Sequence, residues 1–164
     1  MTLLLSLVRH AKSSWVFPVE DFQRPLAEIG IERALKLQKI IEVELVKADV
    51  IYSSPAVRAK ETASILLKGL DFEYSKLKLS HELYTFDCIN LEKFVKNLDS
   101  SNTHVFLLGH NTAITDFVNK FGDRYIENVP TSGWVTLAFE AENWNQIHSG
   151  KTIRFRSHRD NYHE

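Results

Sequence analysis

Apolar residues along this chain follow two alternating patterns. The first is a short continuous run, seen in Leu3-Leu4-Leu5-Ser6-Leu7-Val8, in Asp49-Val50-Ile51-Tyr52 and in His104 to Leu108. Runs of that length between polar stretches predict buried β-strands. The second pattern is helical. Ala34, Leu37, Ile41 and Leu45 recur with Glu32, Arg33, Lys36, Lys39 and Glu42 between them, which predicts an amphipathic helix over Leu26 to Leu45. Leu91, Phe94, Val95 and Leu98 predict another helix, and Ile114, Phe117, Val118 and Phe121 a further one, with Asn111 as its N-cap and Gly122 at its end. Ser54-Pro55 offers an N-cap followed by proline at the first helical position, so the strand ending at Tyr52 is expected to run directly into a helix. Trp134 to Phe139 predicts a strand, and Trp144 to Phe155 a late pair turning at Ser149-Gly150. The polar tail, Ser157 to Glu164, is expected to be loosely held. Strands alternating with helices predict an α/β fold, a sheet covered by helices on both faces. No repeat, linker or low-complexity stretch divides the chain, so residues 1–164 are expected to form one domain.

Composition narrows the function classes. A 164-residue domain buries about 70% of the surface its unfolded chain exposes, enough for a substantial core. Lys and Arg number 20 against 21 Asp and Glu, so no global field favours nucleic acid or an anionic membrane, and any phosphate must be held locally. Cys88 is the only cysteine, which excludes an internal disulfide and a multi-cysteine zinc site; a reducing, cytoplasmic setting is expected. The apolar opening lacks a preceding basic segment and is too short for a signal peptide or membrane span.

Two of the predicted strands end in histidine. Arg9-His10 closes the first, and Gly109-His110-Asn111 closes the run that begins at His104. In a parallel sheet the carboxyl ends of neighbouring strands open onto one crevice, so the two histidines are expected to meet. A neutral imidazole attacks phosphorus without a separate base, which makes His10 the candidate nucleophile. Arg9 supplies a fork for phosphoryl oxygens. Arg58 falls in the first turn of the helix after Ser54-Pro55, where the helix dipole already favours an anion. His110 follows Gly109, which is expected to let the backbone turn sharply, and would donate to the phosphoryl group. Glu82 in a loop is the candidate general acid and base. Each has an ordinary alternative: a strand-capping histidine, an exposed arginine paired with Glu61 or Thr62, a solvated loop glutamate. Asp21 and Arg24 are expected to pair with each other, while Lys12 and Ser13 stand equally as pocket-mouth or loop residues. Trp15, Phe17, Phe22, Trp134 and Trp144 read as core or rim. A P-loop, a zinc-protease motif and a serine-hydrolase elbow are all missing, and Phe94 stands six residues after Cys88 where a cysteine phosphatase would need arginine.

The motif order Leu7-Val8-Arg9-His10-Ala11-Lys12-Ser13-Ser14-Trp15, Asp21-Phe22-Gln23-Arg24-Pro25-Leu26, Ser53-Ser54-Pro55-Ala56-Val57-Arg58-Ala59 with Thr62-Ala63, and Gly109-His110-Asn111 resembles the histidine phosphatase superfamily, and within it the short SixA-type phosphohistidine phosphatases. Ala11 stands where the wider superfamily has glycine, and Thr112 where short members often have proline. The resemblance implies a phosphoglycerate mutase-like three-layer α/β/α sandwich with a mostly parallel sheet, a phosphohistidine intermediate on His10, a phosphate pocket of Arg9, His10, Arg58 and His110, and no metal or other cofactor. Little chain is left for a lid before Leu91, so an open pocket is expected. Such a pocket suits phosphohistidine displayed on a phosphotransfer protein. A broad small-molecule phosphomonoesterase, or a phosphate-binding module without turnover, would use the same residues.

Overall fold

The protein, described by a computed structural model over residues 1–71 and 74–162, is built on one six-stranded sheet. Its strands are β1 (Thr2–Arg9), β2 (Val50–Ser53), β3 (Leu77–Leu79), β4 (His104–Gly109), β5 (Trp134–Glu140) and β6 (Lys151–Arg156), in the spatial order β3-β2-β4-β1-β5-β6. The pairs β3·β2, β2·β4 and β4·β1 are parallel, whereas β5 is antiparallel to both of its neighbours. Four helices cover the sheet: α1 (Glu28–Leu45), α2 (Val57–Leu67), α3 (Cys88–Lys96) and α4 (Ala113–Phe121).

The continuous apolar run of β1 has a direct cause. Leu3, Leu5 and Leu7 pack with Val95 of α3 and with Phe117 and Val118 of α4, while Val8 packs with Leu37, Ile41 and Leu66 of α1 and α2 on the other face. A strand buried on both faces has no polar alternation to show. The result is the expected sandwich, with α1 and α2 on one side and α3 and α4 on the other.

Several local expectations are corrected. The first helix starts at Glu28, because Leu26 forms a bridge with Ser13, and the stretch around it runs beside residues 12–14: Ser14 N–H donates to Pro25 O and Ala27 N–H to Lys12 O. Gly30 makes this approach possible, since a Cβ there would lie 2.1 Å from the Lys12 carbonyl oxygen. At Gly109 no such need exists; a Cβ would meet nothing nearer than Ile114 at 3.8 Å, and the residue simply ends β4. Ser149-Gly150 does not turn a local hairpin. Trp144 instead sits in a 3-10 turn (Trp144–Gln146), fully buried, with its indole N–H donating to Asn102 O at 2.7 Å, and β6 pairs antiparallel with β5, the strand before that turn. The tail is held through Tyr162, which is 4% exposed, packs with Val8 and Trp134, and donates its hydroxyl to Arg33 O. His163 and Glu164 lie outside the described residues.

Candidate active site

The parallel register pairs Arg9 with Gly109, so β1 and β4 end side by side. His10 N–H donates to Gly109 O at 3.1 Å, and the rings of His10 and His110 stand with centroids 5.2 Å apart. The junction is tied from a third direction. Ser132 N–H donates to the carbonyls of Arg9 and His10, Arg9 N–H donates to Gly133 O, and Arg9 Nη1 donates to Val129 O at 3.0 Å. Helix α2 contributes from the opposite side: the Thr62 hydroxyl accepts the Ala11 N–H at 2.9 Å and donates to Arg58 O, and Glu61 accepts the Leu26 N–H. Glu61 and Thr62 are therefore occupied elsewhere, and Arg58 is 1% exposed.

Arg58 reaches His10 directly. Its Nε donates to His10 Nε2 at 3.2 Å, Nη1 to the Asp21 carbonyl at 2.6 Å and Nη2 to the Asp21 carboxylate at 2.9 Å. On the other edge of the imidazole, His10 Nδ1 lies 2.7 Å from Ala11 O. A carbonyl only accepts, so Nδ1 carries the ring proton and Nε2 presents its lone pair. Burial, and then the neighbouring His110, Arg58 and Arg9, lower the His10 pKa to about 3 despite the opposing bond to Ala11. Burial and Arg58 likewise bring His110 to about 3, with Arg9 and Arg24 adding and Asp21 opposing. Burial pushes Asp21 up, but the Tyr84 hydroxyl, Arg58 and Arg24 outweigh it and hold this carboxyl at about 2. Near pH 7 the site thus holds two neutral imidazoles, cationic arginines and one committed carboxylate.

Arg9, His10, Arg58 and His110 line one cavity of about 180 Å³. Lys12, Ser13, Asp21 and Arg24 line it too, so Lys12 and Ser13 belong to the pocket mouth. Arg24 pairs with Asp21 at 3.1 Å as expected, donates to the Ser13 hydroxyl and stacks under Trp15, its Cζ 3.6 Å from the ring centroid. Trp134 and Trp144 are core, whereas Trp15 and Phe17 are rim, 72% and 54% exposed. Glu82 is not brought in. It is exposed in a 3-10 turn (His81–Leu83) and, among the described residues, lines a neighbouring depression with His81, Asn90 and Lys93. Burial pushes the Cys88 thiol up, away from a nucleophilic thiolate. Among the described residues, no group of three or more His, Cys, Asp or Glu is placed to hold a metal ion.

Four residues hold the site through contacts that the sequence reading did not assign. Asp21 holds Arg58 as well as Arg24; Tyr84 donates its hydroxyl to Asp21 at 2.6 Å and sets its ring 5.4 Å from that of His110; Thr62 anchors the backbone after His10; and Ser132 clamps the strand end with φ of 59°. Asp21 and Thr62 stood in the sequence motifs without these partners, whereas Tyr84 and Ser132 carried no local signal of their parts. Ser54 is also displaced from its expected part. The N-cap of α2 is Ala56, and the Ser54 hydroxyl faces His110 while accepting the Ala56 N–H. Asn111 keeps a capping role from one residue further out, its Oδ1 accepting from the backbone and hydroxyl of Thr115.

Comparison with known proteins gives a family and a shared fold. A family model described as the histidine phosphatase superfamily (branch 1) matches residues 5–94. A curated but uncharacterised protein of Mycobacterium tuberculosis is 25% identical over 153 residues, covering 87% of this chain and 93% of its own length. Among solved structures, the protein histidine phosphatase SixA complexed with tungstate superposes with a TM-score of 0.80 at 17% identity, covering 96% of this chain and 99% of the other. A mycobacterial glucosyl-3-phosphoglycerate phosphatase superposes at 0.70 with 12% identity, over 92% and 96%.

Proposed function

Since this chain belongs to the histidine phosphatase superfamily, we propose that it is a phosphatase that hydrolyses phosphohistidine on a phosphotransfer protein through a phosphoryl intermediate on His10. The observation that carries this reading is the His10 ring, neutral, tied through Nδ1 to Ala11 O and presenting Nε2 beside Arg58. Substrate phosphoryl oxygens would enter among Arg9, Arg58 and His110. The Nε2 lone pair attacks phosphorus as the substrate's P–N bond breaks, and the departing imidazole takes a proton from solvent water. Water then attacks the phosphoryl-His10 in line, the second P–N bond breaks, phosphate leaves and His10 returns to its neutral form. The arginines supply the positive charge that the phosphoryl oxygens need, so the reaction is expected to proceed without a metal.

Two features favour phosphohistidine over an alkyl phosphate. An alkyl ester must leave as an alkoxide unless an acid protonates it, and Asp21 is held ionised while Glu82 faces the neighbouring depression. A phosphoramidate needs less help. Trp15 and Phe86 line the cavity as exposed apolar groups, and Val16 and Phe17 follow Trp15 in the chain, exposed as well. Whatever carries the phosphoryl group must lie across them, and apolar patches of this kind suit a protein surface. The small-ester reading rests on the likeness in fold to the glucosyl-3-phosphoglycerate phosphatase.

The test is phosphate release from a phosphohistidine-bearing phosphotransfer protein, with a metal chelator present, comparing the native chain with His10→Ala. Rapid release that vanishes in the variant is expected, together with an acid-labile phosphoenzyme on rapid quench and inhibition by tungstate, the oxyanion bound in the SixA neighbour. Much faster turnover of a sugar phosphate would transfer the assignment to a phosphomonoesterase. Phosphate binding without any turnover or phosphoenzyme would leave a binding module.

A further inference from the structure

Both histidines of the site are neutral, yet the chemistry requires opposite things of them. His10 must present a lone pair; His110 must present an N–H, because a lone pair facing a phosphoryl oxygen would repel it. One hydrogen bond settles the matter for His10, as described above. For His110 the corresponding bond is to Ser54. Its Oγ lies 2.8 Å from His110 Nε2, and the two residues are 0% and 1% exposed. The same oxygen accepts the Ala56 N–H at 3.2 Å, and the Ser54 backbone is fixed by its N–H bond to Leu108 O. A hydroxyl has one proton and two lone pairs, so Oγ can take the Ala56 N–H and still donate. His110 Nδ1, the other ring nitrogen, is buried and without a hydrogen-bond partner, although the residue lines the cavity. Buried polar atoms are rarely left unpaired, so an unpartnered ring nitrogen in a residue that lines this cavity calls for a ligand to complete it.

We propose that Ser54 is a positioning residue that fixes the tautomer of His110: the Ser54 O–H donates to Nε2, so the single ring proton resides on Nδ1 and is offered to the phosphoryl oxygen. The two imidazoles are then complementary. Each uses one nitrogen to grip the scaffold and turns the other toward the phosphoryl group, His10 as acceptor-nucleophile and His110 as donor. The catalytic consequence rests on the phosphoryl-transfer reading, but the placement of the proton does not.

The test uses the full chain labelled with ¹⁵N-histidine, without substrate. Long-range ¹H–¹⁵N correlation at pH 7, with His110 assigned by the loss of its signals in His110→Asn, is expected to show a protonated Nδ1 and an unprotonated Nε2. A wild-type His110 protonated at Nε2 overturns the proposal, whatever the activity. In Ser54→Ala the His110 signals are expected to move toward the Nε2-protonated form, and kcat/KM for phosphohistidine to fall tenfold or more. A variant that keeps the Nδ1–H form, or that changes tautomer with full turnover, overturns the role of Ser54. If Ser54→Ala does not fold, the wild-type spectrum still decides which nitrogen carries the proton. A protein with the expected tautomer and no phosphatase activity would fail the functional reading and leave the tautomer assignment standing.

Discussion

His10 and His110 are unusual in being strongly buried imidazoles surrounded by cations, and this has a measurable cost in acid. Their folded pKa values of about 3 lie below the ordinary 6.5, so between those limits the unfolded chain binds more protons than the folded one. Stability therefore rises with pH across that window and is fully present above about 6.5. Asp21, held at about 2 against an ordinary 3.8, adds in the same direction: its contribution is present above 3.8 and lost as pH falls toward 2. The expected outcome is a urea midpoint that changes little between pH 7 and 8 and declines steadily from pH 6.5 to 4. His10→Ala, which removes one of the titrating rings, should make that decline shallower. A midpoint that held or rose on acidification would contradict the neutral assignment. At this scale Arg9, His10, Arg58 and His110 were legible because each stands at a strand end or helix start that the pattern located. Asp21 and Ser54 were not, because what they hold is 37 and 56 residues away in sequence.

Among the elements, the meeting of α1 with the loop after His10 is the contact least tolerant of change. Gly30 lets the helix lie against the Lys12 carbonyl, and Lys12 O in turn accepts the Ala27 N–H just before α1. Gly30→Ala would drive a methyl into backbone, not into a flexible side chain. Its gain in helix propensity is outweighed; overpacking of this kind costs about 1–3 kcal/mol. Urea denaturation is expected to show that loss, and an unchanged or raised midpoint would show that the helix can slide. The helix face itself was plain in the sequence, since Ala34, Leu37, Ile41 and Leu45 are all buried. Its start was misplaced by two residues because Leu26, apolar and in phase, is buried by a bridge to Ser13 instead. Strand β3 escaped notice for a different reason: three residues with two of them exposed carry too little periodicity. The partner of β6 lay outside the reach of local pattern, because β5 and β6 are separated by a buried tryptophan turn that resembles a strand in composition.

Over the whole molecule, the site divides into a polar floor and an apolar rim. Under the proposed function the floor would select the phosphoryl group, and the rim would meet whatever carries it. This division predicts a separation of kinetic constants. Val16→Ser combined with Phe17→Ser is expected to raise KM for a phosphohistidine protein about tenfold, while leaving turnover of phosphoramidate itself within about twofold. A change in its 10-fold range corresponds to about 1.4 kcal/mol of binding, consistent with removing two exposed apolar groups. Equal losses on both substrates would place the loop in the phosphate site and not in partner recognition.

The position of β1 between β4 and β5 has one more consequence. The strand leading to His10 is hydrogen-bonded along both edges, and Arg9 and His10 at its end are tied to Gly109, Gly133 and Ser132. Its amides can exchange with deuterated solvent only when the whole sheet opens, whereas the loop with Trp15 and Phe17 is free to exchange by local motion. Substitutions in that loop can therefore reshape the surface beside the cavity without loosening His10, so that under the proposed function a change of partner need not cost stability.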